Sequence, residues 1–139
     1  MKYHWTEKTY RTSGQTDIVD LSADLGVFVR ESGLRHGQCT VMVPGSTAAV
    51  TTIEYESGAL SDLQRAIERL VPRDIAYEHD QRWGDGNGYS HVRAALLGPS
   101  VTIPLIEGRL VLGTWQQVVC VDFDNRPRQR RLIFHVTGE

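Results

Sequence analysis

The chain has 139 residues, of which 40% are hydrophobic and 23% are charged, and its formal net charge is −2. This length and composition predict one globular domain with a single substantial core. The slightly acidic balance argues against a nucleic-acid partner, and no apolar run approaches the roughly 20 residues that a membrane-spanning helix needs.

The first half of the chain alternates between strand-like and helix-like segments. Ser22 is a suitable N-cap and Gly33 a suitable C′ residue for the first helix, and Pro72 lies just beyond the second. Periodicity predicts strands at His4–Arg11, Cys39–Val43 and Ala48–Glu54, and helices at Ser22–Ser32 and Leu60–Leu70.

The second half begins with a long polar loop and ends in strands. A short helix is predicted at Ser90–Leu97, with Ser90 as its N-cap and Gly98-Pro99 at its end. Two hairpins follow, one pairing Val101–Ile106 with Arg109–Leu112 and the other pairing Trp115–Phe123 with Arg130–Val136. The predicted class is α+β, a single domain with a largely antiparallel β-sheet core and two or three helices.

Cys39 and Cys120 stand alone, each between apolar, strand-like residues. A disulfide is one interpretation, but two buried thiols in a reducing compartment is the interpretation that the pattern favours. The start of the chain also lacks the apolar segment of a secretory signal. We therefore expect a cytoplasmic protein.

The segment Tyr77–Arg93 is the most informative part of the sequence. Between apolar segments it gathers two histidines, two aspartates, an asparagine, two arginines and three glycines. Folding alone does not require this concentration of side chains that bind metals or phosphates. The segment therefore predicts the centre of a functional site.

His79 and His91 are the candidate metal ligands or acid–base groups of that site. Zinc and related ions favour imidazole nitrogen together with a carboxylate. That carboxylate could come from several acidic residues, namely Glu54, Glu56, Asp80 or Asp85. The alternative is structural, with one histidine capping the short helix and the other packing on the loop.

Three further segments each admit two interpretations. Ser46 and Thr47, in a turn of small residues, could bind an oxyanion, although an ordinary turn is the simpler account. Trp115 and Gln116 could stack on and hydrogen-bond a planar ligand, or Trp115 could lie in the core. The arginines between 126 and 131 could bind RNA, but the acidic residues just upstream favour a salt-bridged hairpin or a subunit contact.

Four ordered motifs resemble the YjbQ-like family, small proteins that are often labelled secondary thiamine-phosphate synthases. The matching segments are Val43–Glu54 (VPGSTAAVTTIE), Tyr77–Asp80 (YEHD), Gly86–Gly98 (GNGYSHVRAALLG) and Leu112–Gln117 (LGTWQQ), and the carboxyl end also fits. The resemblance implies an α+β fold, a homotrimer and a site near the subunit boundary.

The resemblance also implies a metal site of histidines and a glutamate, which correspond here to His79, His91 and Glu54. Many members have a further histidine where this chain has Gly45, so these motifs do not supply a three-histidine site. Either a divalent metal, zinc or magnesium, uses Glu54, another acid or water to complete its ligands, or this branch of the family has lost metal binding.

The sequence and the resemblance together predict a small-molecule enzyme, metal-assisted and thiamine-phosphate synthase-like. The residues expected to act in catalysis are His79, His91, Glu54 and Arg93; those expected to bind a phosphorylated or acidic substrate are Ser46, Thr47, Asp85, Asn87, Trp115 and Gln116. The alternative function is a non-catalytic trimeric module that binds a phosphorylated metabolite.

Overall fold

A computed structural model describes all 139 residues. It contains eight strands and four helices: β1 Lys2–Thr12, β2 Asp17–Asp20, α1 Ser22–Ser32, β3 Gly37–Met42, β4 Ala48–Ile53, α2 Ser57–Leu70, α3 Glu78–Trp83, α4 Gly88–Leu97, β5 Ser100–Ile106, β6 Arg109–Leu110, β7 Gln117–Asp122 and β8 Arg128–Gly138. All strand pairs are antiparallel. The α+β class is confirmed, with one helix more than predicted. None of these helices has the length and apolar character needed to cross a bilayer.

The strands form two sheets that pack against each other. The larger sheet has the order β1-β8-β3-β5-β6, and the smaller has the order β2-β7-β4. Apolar residues of both sheets and of α1 form the main core between them. A second, smaller core lies on the opposite face of the three-stranded sheet, where α2 and α4 cover it. The molecule thus has three layers.

Strand β7 is buried on both faces because it is the central strand of the three-stranded sheet. Val118 and Cys120 point into the main core, whereas Val119 and Val121 point into the smaller one. A strand covered on both faces reads as a continuous apolar run rather than as an alternating one. This sandwiching explains the unbroken apolar sequence between Val118 and Val121.

The predicted hairpin between Trp115–Phe123 and Arg130–Val136 is wrong. β7 pairs with β2 and β4, whereas β8 pairs with β1 and β3, so the chain passes from one sheet to the other between them. The short segment Asp17–Asp20, which the sequence analysis did not assign, supplies one of the partners of β7. The β5–β6 hairpin is confirmed; Glu107 and Gly108 at its turn have φ of 52° and 78°.

Helix ends follow local signals only in part. Gly33 ends α1 with φ of 68°, as predicted, but Ser22 lies inside the helix and its hydroxyl accepts a hydrogen bond from the Val118 N–H. Helix α2 begins earlier than predicted because the Glu56 carboxylate accepts from the N–H groups of Gly58 and Ala59. These hydrogen bonds lower the pKa of Glu56.

Candidate metal and acid–base site

Helices α3 and α4 bring the two candidate histidines together. His79 lies on α3 and His91 on α4, and their ring centroids are 4.4 Å apart with 41° between the ring planes. The segment predicted to be a loop is therefore a short helix, a turn and the first residues of a second helix. α4 begins at Gly88 rather than at Ser90, whose hydroxyl donates to the Asn87 carbonyl. The twelve-residue step from His79 to His91 thus places their rings in contact.

Two carboxylates face His79. Its Nδ1 lies 3.3 Å from Asp80 Oδ1 and 3.4 Å from Asp85 Oδ1. The ligand atoms of these three residues all lie within 4.8 Å of one another, while His91 lies beside the group. Two ligands of a tetrahedral zinc ion, each about 2.0–2.1 Å from the metal, are roughly 3.4 Å apart. The spacing of His79, Asp80 and Asp85 therefore fits a small divalent cation.

Backbone N–H groups at the start of α4 orient both carboxylates. Gly88 donates to Asp80 Oδ1 at 2.7 Å, and Asn87 donates to Asp85 Oδ1 at 3.2 Å. A Cβ atom on residue 88 would lie 2.6 Å from the Cβ of Tyr77 and 3.0 Å from Asp80 Oδ1. Glycine at this position therefore allows α3 and α4 to approach closely enough to form the cluster.

His91 also faces a small cleft. It is lined by the turn before β4 and by one face of α4, and its walls include Gly45, Ser46, Ala94 and Ala95. The volume of the cleft is about 220 Å³. Ser46 is exposed at its edge, so its hydroxyl is available to a ligand. The structure therefore brings together four predicted site residues, namely Ser46, His79, Asp85 and His91.

A buried polar network lies beneath the turn that carries Ser46. Arg130 pairs with Asp122 through two hydrogen bonds of 2.7 and 2.8 Å and also donates to the Thr47 hydroxyl. Thr47 donates to Asp124 at 2.9 Å, so this predicted substrate residue is engaged in the fold. Three of the four arginines between 126 and 131 make ion pairs, which confirms that the segment is salt-bridged, although it does not belong to the predicted hairpin.

Asp124 holds the start of α4 in place. Burial alone would raise its pKa, but hydrogen bonds from Thr47, Arg128 and Asn87 outweigh burial and lower it. The Asn87 side-chain oxygen in turn accepts from the hydroxyl of Ser90 and from the N–H of Asn125. Asn87 is 6% exposed, so its role in the structure is to anchor the helix rather than to present an amide to a ligand.

Arg93 points away from the histidines and into the protein. Its guanidinium donates to the Val71 carbonyl, the Thr16 hydroxyl and the Glu68 carboxylate, and the residue is only 1% exposed. Burial would raise the pKa of Glu68, but the hydrogen bond from Arg93 helps to lower it. Arg93 therefore ties α4 to α2, and its donors are engaged within the chain.

The remaining predicted residues lie at the opposite end of β4. Glu54 follows that strand, and Gln116 donates to Thr52 near its end at 3.1 Å. Trp115 is 72% exposed, so the interpretation that it lies in the core is wrong. Six residues of extended chain separate Ala48, in the cleft, from Glu54, a distance of roughly 20 Å. Glu54, Trp115 and Gln116 therefore form a second group, far from His91 within one chain.

The sequence profile of the family described as "UPF0047 protein YjbQ-like" matches residues 6–139. A UPF0047 protein of Methanothermobacter thermautotrophicus is 37% identical over 139 residues, which cover 100% of this chain and 95% of the relative. A UPF0047 protein of Mycobacterium tuberculosis is 40% identical over 129 residues, covering 86% of this chain and 96% of the relative. This chain belongs to the YjbQ-like UPF0047 family.

Solved structures agree with that membership of the YjbQ-like family. A YbjQ-like protein of unknown function from Sulfolobus solfataricus has a TM-score of 0.89 and 28% identity, covering 99% of this chain and 100% of that one. A hypothetical protein from Aeropyrum pernix has a TM-score of 0.90 and 29% identity, with 98% and 99% covered. The fold described above is therefore shared across nearly the whole length of these proteins.

Asp80 lies in the site of this YjbQ-like chain but was not among the predicted site residues. It was one of four acidic residues considered as the partner of the histidines. The structure favours Asp80 and Asp85, because Glu56 caps α2 and Glu54 lies at the other end of β4. The signals for Asp80 in the sequence were its adjacency to His79 and its place in the YEHD motif.

Proposed function

We propose that this YjbQ-like chain is a small-molecule enzyme in which His79, Asp80 and Asp85 hold a divalent cation and His91 acts as an acid–base group. The observation that carries the proposal is the position of His79 Nδ1, 3.3 and 3.4 Å from two carboxylates. Two negative groups beside one imidazole favour a cation. The proposal replaces Glu54 of the sequence-based set with Asp80 and Asp85.

The chain's own residues suit a phosphorylated or otherwise acidic substrate. The Ser46 hydroxyl stands at the edge of the cleft that His91 lines, so one ligand can meet both. His91 is near enough to exchange a proton with a group bound there, and the small side chains of Ala94 and Ala95 leave room for it. A zinc or magnesium ion bound beside it would supply positive charge that stabilises a departing phosphate or pyrophosphate.

A thiamine-phosphate synthase-like reaction is the specific activity that we propose from the family resemblance. In that reaction a thiazole nitrogen bonds to a pyrimidine methylene carbon as the carbon–oxygen bond to pyrophosphate breaks. Pyrophosphate leaves with the bonding electrons, which is the charge that a cation and a nearby hydroxyl stabilise. Trp115, exposed and planar, is suited to stack on the pyrimidine ring.

We propose that the site is completed across a subunit boundary in a homotrimer. The cleft of about 220 Å³ is smaller than the roughly 300–1,000 Å³ that ligand sites usually occupy. Glu54, Trp115 and Gln116 lie at the far end of β4, where a neighbouring subunit's cleft could receive them. A second candidate function, a non-catalytic module holding a phosphorylated metabolite, rests on the same small cleft.

The first experiment is elemental analysis of the untagged protein after dialysis against zinc or magnesium. We expect about one ion per chain in the wild type, a near-complete loss in His79→Ala and Asp85→Asn, and no loss in His36→Ala, an exposed histidine outside the site. Equal metal content in all four proteins would contradict the proposed cation site.

Measurements of turnover distinguish the enzyme from the binding module, and the mass in solution tests the proposed homotrimer. Release of pyrophosphate from a pyrimidine diphosphate and a thiazole phosphate, lost in His91→Ala, supports the enzyme. Saturable binding of these compounds without product supports the binding module.

Light scattering should give three times the chain mass of 15.6 kDa; a monomer would contradict the shared site.

A further inference from the structure

The largest cleft of the molecule lies away from the histidines, between α1 and the β5–β6 hairpin. Its volume is about 580 Å³, within the range of small-molecule sites. The apolar part of its lining comes from α1, the segment after it and the strands at the sheet edge, and consists of Leu25, Val29, Leu34, Leu110 and Leu112. We refer to it as the α1–hairpin cleft.

Three guanidiniums surround this apolar floor. Arg30, Arg35 and Arg109 line the cleft together with a single carboxylate, that of Glu107, so the lining carries a formal charge of +2 in a chain whose net charge is −2. All three arginines are exposed, and none of them takes part in the ion pairs of the structure. Six of the other ten arginines have an acidic partner; what distinguishes these three is that they line one cleft, where their charge is not neutralised within the chain.

Gly26 is one of the residues that line the cleft. It lies in the middle of α1, where glycine costs about 0.5–1 kcal/mol relative to alanine. A Cβ atom there would come no closer than 3.4 Å to any neighbour, the tip of the flexible Arg30 side chain. Internal packing therefore does not require glycine at this position, and because Gly26 is part of the lining, a larger side chain there would reduce the space in the cleft.

The walls of the cleft are fixed before any ligand arrives. The Gly108 N–H at the hairpin turn donates to the Arg35 carbonyl at 2.8 Å, and the Arg35 N–H donates to the Glu139 carbonyl at 2.7 Å. The first hydrogen bond holds the hairpin against the segment that follows α1, and the second attaches that segment to the C-terminal residue. A preformed cleft loses little conformational entropy when a ligand binds.

We propose that the α1–hairpin cleft binds a small amphiphilic organic anion, with its apolar body on the leucine and valine floor and its anionic head among Arg30, Arg35 and Arg109. Guanidinium groups recognise carboxylates and phosphates through paired hydrogen bonds, and the apolar floor selects against a bare inorganic ion. This inference is independent of the histidine site, because the two share no residue.

Isothermal titration calorimetry with decanoate tests the proposal. Two control compounds each lack one part of this ligand: 1-decanol has no anionic head, and inorganic phosphate has no apolar body. We expect saturable binding of one decanoate per chain and at least tenfold weaker binding of the other two. Arg35→Gln and Arg109→Gln should each weaken decanoate binding about tenfold, because each removes a charge-assisted contact. Arg69→Gln, which neutralises an exposed arginine of α2, should leave the affinity unchanged.

Gly26→Leu tests the contact with the apolar floor, since the leucine would occupy part of the cleft and should weaken decanoate binding. Amide shifts of Gly26, Gly33 and Gly108 in the wild type should follow the calorimetric curve. Absence of decanoate binding, or equal affinity in the wild type and both arginine variants, would overturn the proposal. The arginine variants alter only exposed side chains, so the test stands even where Gly26→Leu fails to fold.

Discussion

Arg93 illustrates how a charged side chain of a predicted site becomes part of the scaffold. It reaches Val71, Thr16 and Glu68 at once, and at 1% exposure it would leave several buried acceptors unpaired if it were lost. Leaving a buried acceptor such as the Val71 carbonyl without its donor costs about 1–3 kcal/mol, whereas the half-exposed Glu68 carboxylate can be hydrated when Arg93 is lost. The segments that it joins are α4, α2 and the loop before β2.

We therefore predict that Arg93→Met lowers the free energy of unfolding by about 2 kcal/mol or more, because the Val71 carbonyl and the Thr16 hydroxyl lose their donor. Urea denaturation followed by circular dichroism measures this change. The matched control is Arg69→Met, whose exposed side chain should matter by no more than about 0.5 kcal/mol. A catalytic role for Arg93 would show the reverse pattern, with a stable variant that no longer binds or turns over substrate.

The lowered pKa of Asp124 makes the stability of the folded protein depend on pH. Although burial opposes its charge, hydrogen bonds from Thr47, Arg128 and Asn87 bring its pKa in the folded protein below the ordinary 3.8. In the acid range the unfolded chain therefore binds more protons at this residue than the folded one. The stabilisation is fully present above the unfolded pKa and is lost as the pH falls through the folded pKa.

We expect the urea midpoint of the wild type to fall steeply between pH 5 and pH 3, the approximate range in which the unfolded carboxylate takes up its proton. Asp124→Asn should be less stable at neutral pH but should lose less on acidification, because it cannot titrate. Asp62→Asn, which changes an exposed aspartate on α2, should keep the wild-type slope. Parallel curves for the wild type and Asp124→Asn would contradict this assignment.

Among the structural elements, the contact between α3 and α4 creates the candidate cation site. His79 and Asp80 come from α3, Asp85 from the connecting turn, and His91 from α4. Asn125, in the loop between β7 and β8, donates to the Asp85 carbonyl at 2.8 Å and so attaches this turn to the sheets. Close approach at Gly88 is what allows these groups to converge.

Gly88→Ala should therefore damage the site more than the fold. The added methyl group would meet the Tyr77 side chain and the Asp80 carboxylate, which must separate at a cost of about 1–3 kcal/mol. Thermal unfolding should show this loss, and metal content should fall with it. Gly26→Ala is the matched control: it should stabilise α1 by about 0.5–1 kcal/mol and leave metal content unchanged. Full metal content in Gly88→Ala would mean that α3 and α4 need not touch.

At the scale of the whole molecule, local signals predicted most of the elements, though not β2 or α3, and they did not predict the partners of β7 and β8. Gly33 and the Glu107-Gly108 turn depend only on neighbouring residues, and both were predicted correctly. β7 and β8 are adjacent in sequence, yet each is held on both sides by strands from elsewhere, so proximity along the chain was misleading.

The candidate site, like the fold, was predicted from the sequence only in part. The polar composition of Tyr77–Arg93 located the two histidines correctly, because composition is a property of the segment itself. The burial of Arg93 and Thr47 was not predictable, because their partners lie 22 to 83 residues away in sequence. Such pairs form only when the three layers assemble.

The two cysteines provide a test of whether those layers unfold as one unit. Cys39 lies on the five-stranded sheet and Cys120 on the three-stranded sheet, and both are free and buried in the core between them. Burial raises the pKa of each thiol to about 12, so neither presents a reactive thiolate in the folded protein.

We predict that, in the folded protein, both thiols react with a disulfide reagent at the same rate, which is set by global unfolding. In concentrated urea, where the chain is unfolded, both should react within seconds. The single variants Cys39→Ser and Cys120→Ser each retain one thiol, so the reaction rate of each thiol can be measured separately. Each rate is compared with the unfolding rate of the same variant. If the sheets opened independently, one thiol would react faster than unfolding allows. Equal rates follow from the geometry, because exposing either sulfur requires the sheets to part and therefore removes the core that stabilises both.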